Sequence, residues 1–237
     1  MVCGKVSILA IDDDASILYL LRSTLELEGY RVFTASDGES GLDISDREVP
    51  NLIILDITMP GLDGYSICRR IRESSQVPII MVTARGNEEE KIRGFECGAD
   101  DYVTKPFSVR ELVARVKSVL RRSQFGDATV AQPIFSSGDL EIDFDKRSVT
   151  FAGNAVDLTP TEYNLLQELV LKRGRALTHS YLLQKVWGPE YLNETEYLHV
   201  FIGRLRSKLH LDSRDQKYVM TLPGVGYLFK ETVQVNT

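Results

Sequence analysis

At 237 residues, 43% hydrophobic and 26% charged, the chain has the composition of an ordinary globular protein and the length for two domains with separate cores. No apolar run approaches the roughly 20 residues that cross a bilayer, and the first one meets acids too soon for a signal peptide, so neither a membrane span nor a secretory leader is expected. Three scattered cysteines, Cys3, Cys68 and Cys97, exclude a disulfide framework or a CxxC metal site and fit a reducing cytoplasm, while the net charge of -6 gives no overall bias toward nucleic acid.

The first predicted strand, Val6 to Ile11, ends in Asp12, Asp13 and Asp14. One such acid can cap a helix by accepting backbone N–H groups. Three are not explained that way, because adjacent carboxylates raise each other's proton affinity unless a cation or donor compensates them. Further strands follow at Arg31 to Thr34, Leu52 to Leu55, Ile79 to Val82 and Tyr102 to Val103, several too continuously apolar to have a solvent face. Helical patterns lie between them. The last places Val109, Leu112, Val113, Val116, Val119 and Leu120 on one stripe. Five strands alternating with five helices predict an α/β fold, a doubly wound five-stranded parallel sheet that binds ligands at the carboxyl ends of its strands.

Periodicity lapses through "SQFGDATVAQP", which reads as a linker over residues 123–134 between a first domain of 1–122 and a second of 135–237. The second domain opens on period-two alternation with a turn at Gly153-Asn154, which predicts short antiparallel strands. "TPTEYNLLQELVLKRG" then starts a helix with Thr159 as cap, Pro160 at the first helical position and Glu162 as the reciprocal partner, ending at Gly174. Two more helices are predicted at His179 to Val186 and Glu194 to His210, and "KYVMTLPGVGYLFKE" reads as two strands around a Pro-Gly turn.

In a parallel sheet the residues just past neighbouring strands converge. Asp12, Asp13, Asp56, Thr83 and Lys105 all fall at such positions and should surround one crevice. Three carboxylates make an oxygen-rich site suited to Mg²⁺. With a lysine and a hydroxyl added, the site holds what phosphoryl transfer needs, and a carboxylate can be the nucleophile, forming an aspartyl phosphate. Asp56, at the centre of the sheet, is the best placed.

These residues, with "LDITMPGLDG", Thr83-Ala84 and "GADDYVTKPF", resemble the receiver domain of two-component response regulators over nearly the whole first half. "LTPTEYNLLQELV", "VWG", "VFIGRLRSKL" and "GVGYLF" resemble the winged helix-turn-helix effector domain of the OmpR/PhoB family, with "VWGPEYLNETEYLHVFIGRLRSKL" most similar to its KdpE-type branch. The resemblance implies a cytoplasmic, phosphorylation-activated transcription regulator that takes its phosphoryl group from a histidine kinase on Asp56. It further implies that Asp12, Asp13, Asp56 and the carbonyl of Thr58 hold Mg²⁺, that Lys105 and Thr83 contact the phosphoryl group, and that Tyr102 switches with Thr83. DNA at direct-repeat promoter sites, RNA polymerase and a second copy of the chain are the implied partners. Phosphatases of the haloacid dehalogenase type use similar residues but carry a second acid two positions after the nucleophile, where this chain has Thr58. No enzyme activity is therefore expected.

Charge is unevenly placed: between Lys172 and Lys217 nine basic residues stand against five acidic ones, a net +4 within an acidic chain. On the last helix Leu198, Phe201, Ile202, Leu205 and Leu209 share one face. Tyr197, His199, Val200, Gly203, Arg204, Arg206, Ser207 and Lys208 fill the other arc and are the candidate DNA contacts. Pro223 and Leu228 stand where basic residues are common in the family's wing. For the dimer, the resemblance implies pairs across a two-fold axis: Lys91 with Glu111, Asp101 with Arg115, Glu96 with Lys117, and Asp100 with Arg122.

Overall fold

The computed structural model describes residues 5–84, 93–124, 133–209 and 218–231. The chain divides into two compact units, residues 1–120 and 121–237. The first is built on strands β1 (Ser7–Ile11), β2 (Arg31–Ala35), β3 (Leu52–Asp56), β4 (Ile79–Thr83) and β5 (Asp101–Thr104). All pair in parallel, in the order β2-β1-β3-β4-β5. Each predicted strand lies within a residue of an observed one. β3 and β4 are buried at every position, as expected of strands covered on both faces.

The helices of this unit are α1 (Ala15–Leu27), α2 (Gly38–Glu48), α3 (Gly64–Ser74) and α4 (Val109–Gln124), the last running past the unit boundary. Residues 93–96 are also helical, and the rest of the expected fourth of five helices falls on 85–92, outside the described residues. Each of the first three helices starts on an aspartate that accepts a backbone N–H: Asp14 from Ser16, Asp37 from Ser40 and Asp63 from Ser66. One acid of the opening triplet is thus a cap, and the bond from Ser16 holds the Asp14 carboxyl below its ordinary range. On α4, Leu112, Val116, Val119 and Leu120 pack into the core with Ile8, Ile54, Ile80 and Val82. Val109, expected on the same stripe, is exposed because the stripe begins one turn later.

The second unit opens with an antiparallel sheet, β6 (Ile134–Ser137), β7 (Leu140–Asp143), β8 (Ser148–Phe151) and β9 (Asn154–Ala155). The turn between β8 and β9 is made by Ala152 and Gly153, at φ 50° and 80°, one residue before the expected Gly153-Asn154. There follow α5 (Pro160–Leu171), β10 (Leu177–Thr178), α6 (His179–Val186), a 3₁₀ turn at Pro189–Tyr191, α7 (Thr195–Lys208), and the hairpin of β11 (Val219–Leu222) and β12 (Gly226–Phe229). Thr159 and Glu162 form the predicted capping box of α5. The apolar face of α7, Leu198, Phe201, Ile202 and Leu205, is buried with Trp187, whose ring meets Phe201 edge-on at 5.1 Å. β10 falls outside the expected elements, since two residues carry no period. It adds to the hairpin in the order β10-β12-β11, and a Cβ on Gly226 would overlap the carbonyl oxygen of Leu177, so only glycine lets the two strands meet. Helix, strand pair and hairpin together make a winged helix-turn-helix. Among the described residues no helix is long and apolar enough to cross a membrane.

Candidate functional site

The strand order reverses direction between β1 and β3, the place where doubly wound sheets open a crevice at their carboxyl ends. The residues named from sequence gather there. Oxygens of Asp12, Asp13 and Asp56 all lie within 4.8 Å of one another. Lys105 Nζ donates to Asp12 Oδ2 at 2.7 Å and lies 3.0 Å from Asp56 Oδ1. The Thr58 hydroxyl donates to Asp56 Oδ2 at 3.2 Å. Asp12, Asp56 and Thr83 are buried, whereas Asp13 and Thr58 are exposed at the rim. Thr83 closes β4, and its carbonyl accepts the backbone N–H of Lys105, which ties the fourth and fifth strand ends together.

Burial pushes the Asp12 carboxyl up, helped by the charge of Asp56 and opposed by the bonds from Lys105 and the Asp14 N–H. For Lys105 burial works downward, but the bonds to Asp12 and Asp56 outweigh it and the ammonium is held above its ordinary range. Three carboxylates against one ammonium leave two negative charges uncompensated in a largely buried crevice. That donor set fits a hard dication with oxygen ligands, as receiver domains generally bind Mg²⁺. The "MPGLDG" segment packs against the Asp56 side of the crevice: a Cβ on Gly64 would overlap the carbonyl oxygen of Asp56 and lie 2.7 Å from Ile57 Cα. The start of α3 can pack against the Asp56 backbone because that position is glycine.

The expected dimer face is partly occupied within the chain. Arg115 bonds Asp101 at 3.1 Å and Glu111 at 3.2 Å, and Lys117 pairs with Glu28 at 2.7 Å. Glu96 is exposed, and Lys91 lies outside the described residues. Asp100, Asp101 and Arg122 are buried within the single chain, where Asp100 accepts from Arg72 at 3.0 Å. Tyr102 is buried within β5.

The candidate DNA contacts on α7 separate into three groups. His199, Gly203 and Ser207 are exposed together with Glu196, and Val200 is half-buried beside them. Arg206 turns to the hairpin and donates to the Val219 carbonyl at 2.7 Å and the Thr221 hydroxyl at 2.9 Å. Tyr197, Arg204 and Lys208 do not lie on the outward arc, which corrects their expected placement. At helical spacing they form one flank of the apolar stripe, where Tyr197 is buried against Tyr191 and both cations pair at 2.7 Å with Glu162. Sequence reasoning passes over His179 and Tyr227. Their rings meet His199 at centroid distances of 5.4 and 6.5 Å, joining α6, α7 and β12 at one spot. No local spacing shows this, because the three residues are far apart in the chain. Among the described residues, the exposed cations of the basic stretch are Lys172, Arg173, Arg175 and Lys185.

An acid-lined crevice at the switch point of a 2-1-3-4-5 sheet, followed by a winged helix-turn-helix, defines a response regulator with a receiver and a DNA-binding domain. Residues 8–117 match the response regulator receiver domain, and residues 153–229 match the transcriptional regulatory protein C-terminal domain. The chain is similar to "Probable transcriptional regulator ycf27" of Porphyra purpurea, 45% identical over 237 residues and 98% of each chain. It is also similar to "Sensory transduction protein RegX3" of Mycobacterium tuberculosis, at 38% identity over 93% of this chain and 97% of that one. Among solved structures, a mutant of RitR covers 96% of this chain and 100% of its own at 28% identity and a TM-score of 0.78. The response regulator DrrB, an OmpR/PhoB homologue of Thermotoga maritima, does so over the same shares at 33% and 0.52. The chain belongs to the OmpR/PhoB family of response regulators.

Proposed function

We propose that this chain is a phosphorylation-controlled transcription regulator of a two-component system and not an enzyme in its own right. The observation that carries this reading is the cluster of Asp12, Asp13 and Asp56 with the Lys105 ammonium between Asp12 and Asp56. Asp56 accepts a phosphoryl group from a histidine kinase in the cytoplasm. Its carboxylate oxygen attacks phosphorus as the phosphorus–nitrogen bond of the kinase's phosphohistidine breaks and the imidazole leaves, and Lys105 is already placed to neutralise the charge that arrives. Asp12, Asp13, Asp56 and the carbonyl of Thr58 hold Mg²⁺, whose charge offsets that of the carboxylates and of the phosphoryl oxygens. Thr83 bonds the phosphoryl group, and Tyr102 follows it. The activated chain dimerises, binds direct-repeat promoter sites with the outward arc of α7, and engages RNA polymerase.

Metal affinity should fall as pH is lowered. Burial raises the Asp12 carboxyl, so protons compete for its oxygens at a higher pH than they would for a free aspartate. Titration calorimetry at pH 7.5 and 5.5 is expected to show clearly weaker Mg²⁺ binding at the lower pH. Asp13→Ala should lose binding at both values, and an unchanged isotherm in that variant would remove Asp13 from the ligand set.

The dimer reading uses the face carrying Glu96, Asp101, Glu111, Arg115 and Lys117. Of its in-chain pairs only Arg115 with Asp101 recurs among the pairs expected across a two-fold axis, while the exposed pair of Lys117 with Glu28 is worth roughly 0–1 kcal/mol and can be exchanged for Glu96 of a second copy at little cost. Treatment with acetyl phosphate and Mg²⁺ should raise the dimer fraction of the wild type in sedimentation equilibrium and leave Arg115→Glu monomeric. Equal monomer–dimer distributions in the two proteins would show that dimerisation, if it occurs, uses another surface.

A further inference from the structure

Glu162 enters the fold as half of a capping box, but its carboxylate does more than a cap requires. It is fully buried. Oε2 accepts the backbone N–H of Thr159 at 2.9 Å and lies 2.7 Å from Lys208 Nζ, while Oε1 lies 2.7 Å from the Arg204 guanidinium. Lys208 also donates to the Asp157 carbonyl at 2.7 Å, and Arg204 stacks on the Phe201 ring at 4.6 Å. Arg204 and Lys208 are four residues apart, one turn of α7, so the first turn of α5 grips α7 at two points along its axis. Rolling α7 would break both ion pairs at once and strand a buried carboxylate.

Two consequences follow for DNA. The roll of α7 is fixed with Glu196, His199, Gly203 and Ser207 outward. That exposed set contains no arginine or lysine, and two cations that could have taken phosphates are instead bound to a buried acid. Affinity for DNA of arbitrary sequence rests on phosphate contacts and scales with the number of phosphates neutralised. Affinity for a particular site rests on base edges and on a fixed helix orientation. Withholding cations lowers the first by the larger proportion, because only the second also draws on base edges, and specificity is the difference between them.

We propose that Glu162 is a specificity-determining positioning residue. It sets the face that α7 presents to DNA and keeps Arg204 and Lys208 from non-specific phosphate contact. This deepens the DNA-binding reading and rests on it.

The test uses the full chain and two labelled duplexes: a 30-base-pair duplex of mixed sequence, and one that the wild type has selected from a random pool. Binding is followed by anisotropy over a salt series. Lys208→Gln touches the more exposed of the two cations and should leave the salt slope on mixed-sequence DNA unchanged. A slope shallower by about 0.9 would place Lys208 on a phosphate and overturn the proposal. Glu162→Gln keeps the side-chain volume and an acceptor for Thr159 while releasing both cations. Mixed-sequence binding should strengthen several-fold at low salt with a slope steeper by about 1 to 2, and binding to the selected duplex should weaken about tenfold. A merely structural role cannot move the two affinities in opposite directions, so a parallel fall, or no change in slope, would overturn the proposal. Should Glu162→Gln fail to fold by circular dichroism, the Lys208→Gln slope decides alone. A wild type that enriched no sequence from the pool and did not bind the mixed-sequence duplex would instead refute the DNA-binding reading itself.

Discussion

Asp56→Asn is expected to abolish labelling by acetyl phosphate and, without Mg²⁺, to make the receiver unit more stable. The asparagine amide is not a nucleophile toward phosphorus, and no second acid occupies the same place: Asp12 is tied to Lys105 at 2.7 Å, and Asp13 sits at the rim. The stability gain has a separate cause. Asp56 is a buried carboxylate that shares one ammonium with Asp12 and is repelled by two neighbouring acids. Neutralising it removes that repulsion and the cost of burying the charge, offset by the lost attraction to Lys105, for a net gain of about 1 kcal/mol. Mg²⁺ should therefore raise the melting temperature of the wild type more than that of the variant. Phosphate retained on Asp56→Asn at wild-type level would mean that another residue is the acceptor. A variant less stable than wild type in chelator would mean that the cluster is already compensated within the protein.

Arg72→Ala should destabilise the receiver unit by about 3–5 kcal/mol, the usual cost of leaving a buried charge without its partner. The Arg72 guanidinium joins three segments. Nε donates to the Gly98 carbonyl at 3.0 Å, Nη1 to the carbonyls of Ser75 and Val77 at 3.2 and 2.7 Å, and Nη2 to Asp100 Oδ2 at 3.0 Å. Asp100 is fully buried and also accepts the backbone N–H of Ile79, the first residue of β4. Removal of Arg72 would strand that carboxylate and three backbone carbonyls between α3 and the entry to β4 and β5. Those two strands deliver Thr83 and Lys105, so the loss should reach the crevice as well. Asp100→Asn in the same background should recover part of the loss by removing the uncompensated charge. Chemical denaturation of the single and double variants measures both effects, and a loss below about 1 kcal/mol for Arg72→Ala would show that water replaces the guanidinium.

The receiver fold and its crevice are legible in the sequence because both follow from local rules. A strand buried on both faces must be continuously apolar, so Leu52–Asp56 and Ile79–Thr83 announce themselves. Parallel pairing then brings the residues after each strand to one edge, which is why Asp12, Asp13, Asp56, Thr83 and Lys105 can be grouped without coordinates. Caps and apolar stripes are equally local, and Thr159 with Glu162 and the inner face of α7 are readable on that basis. What sequence cannot decide is which of several possible partners each charge will find. Asp100 and Arg122 look like surface charges, and Arg204 and Lys208 look like free cations opposite an apolar face, yet all four are held within the fold. Periodicity fixes the side of a helix on which a residue lies, but not what a distant segment places against its flank. Arg72 reaches Asp100 across 28 positions and Lys208 reaches Glu162 across 46, distances over which sequence carries no register. The sequence alone therefore determined the longer strands and helices and the acid crevice, but not the two-residue β10 or the 3₁₀ turn. Only tertiary packing decided which charges are buried pairs and which remain to meet a partner, because a charge taken from water must be compensated wherever the fold happens to bring its partner.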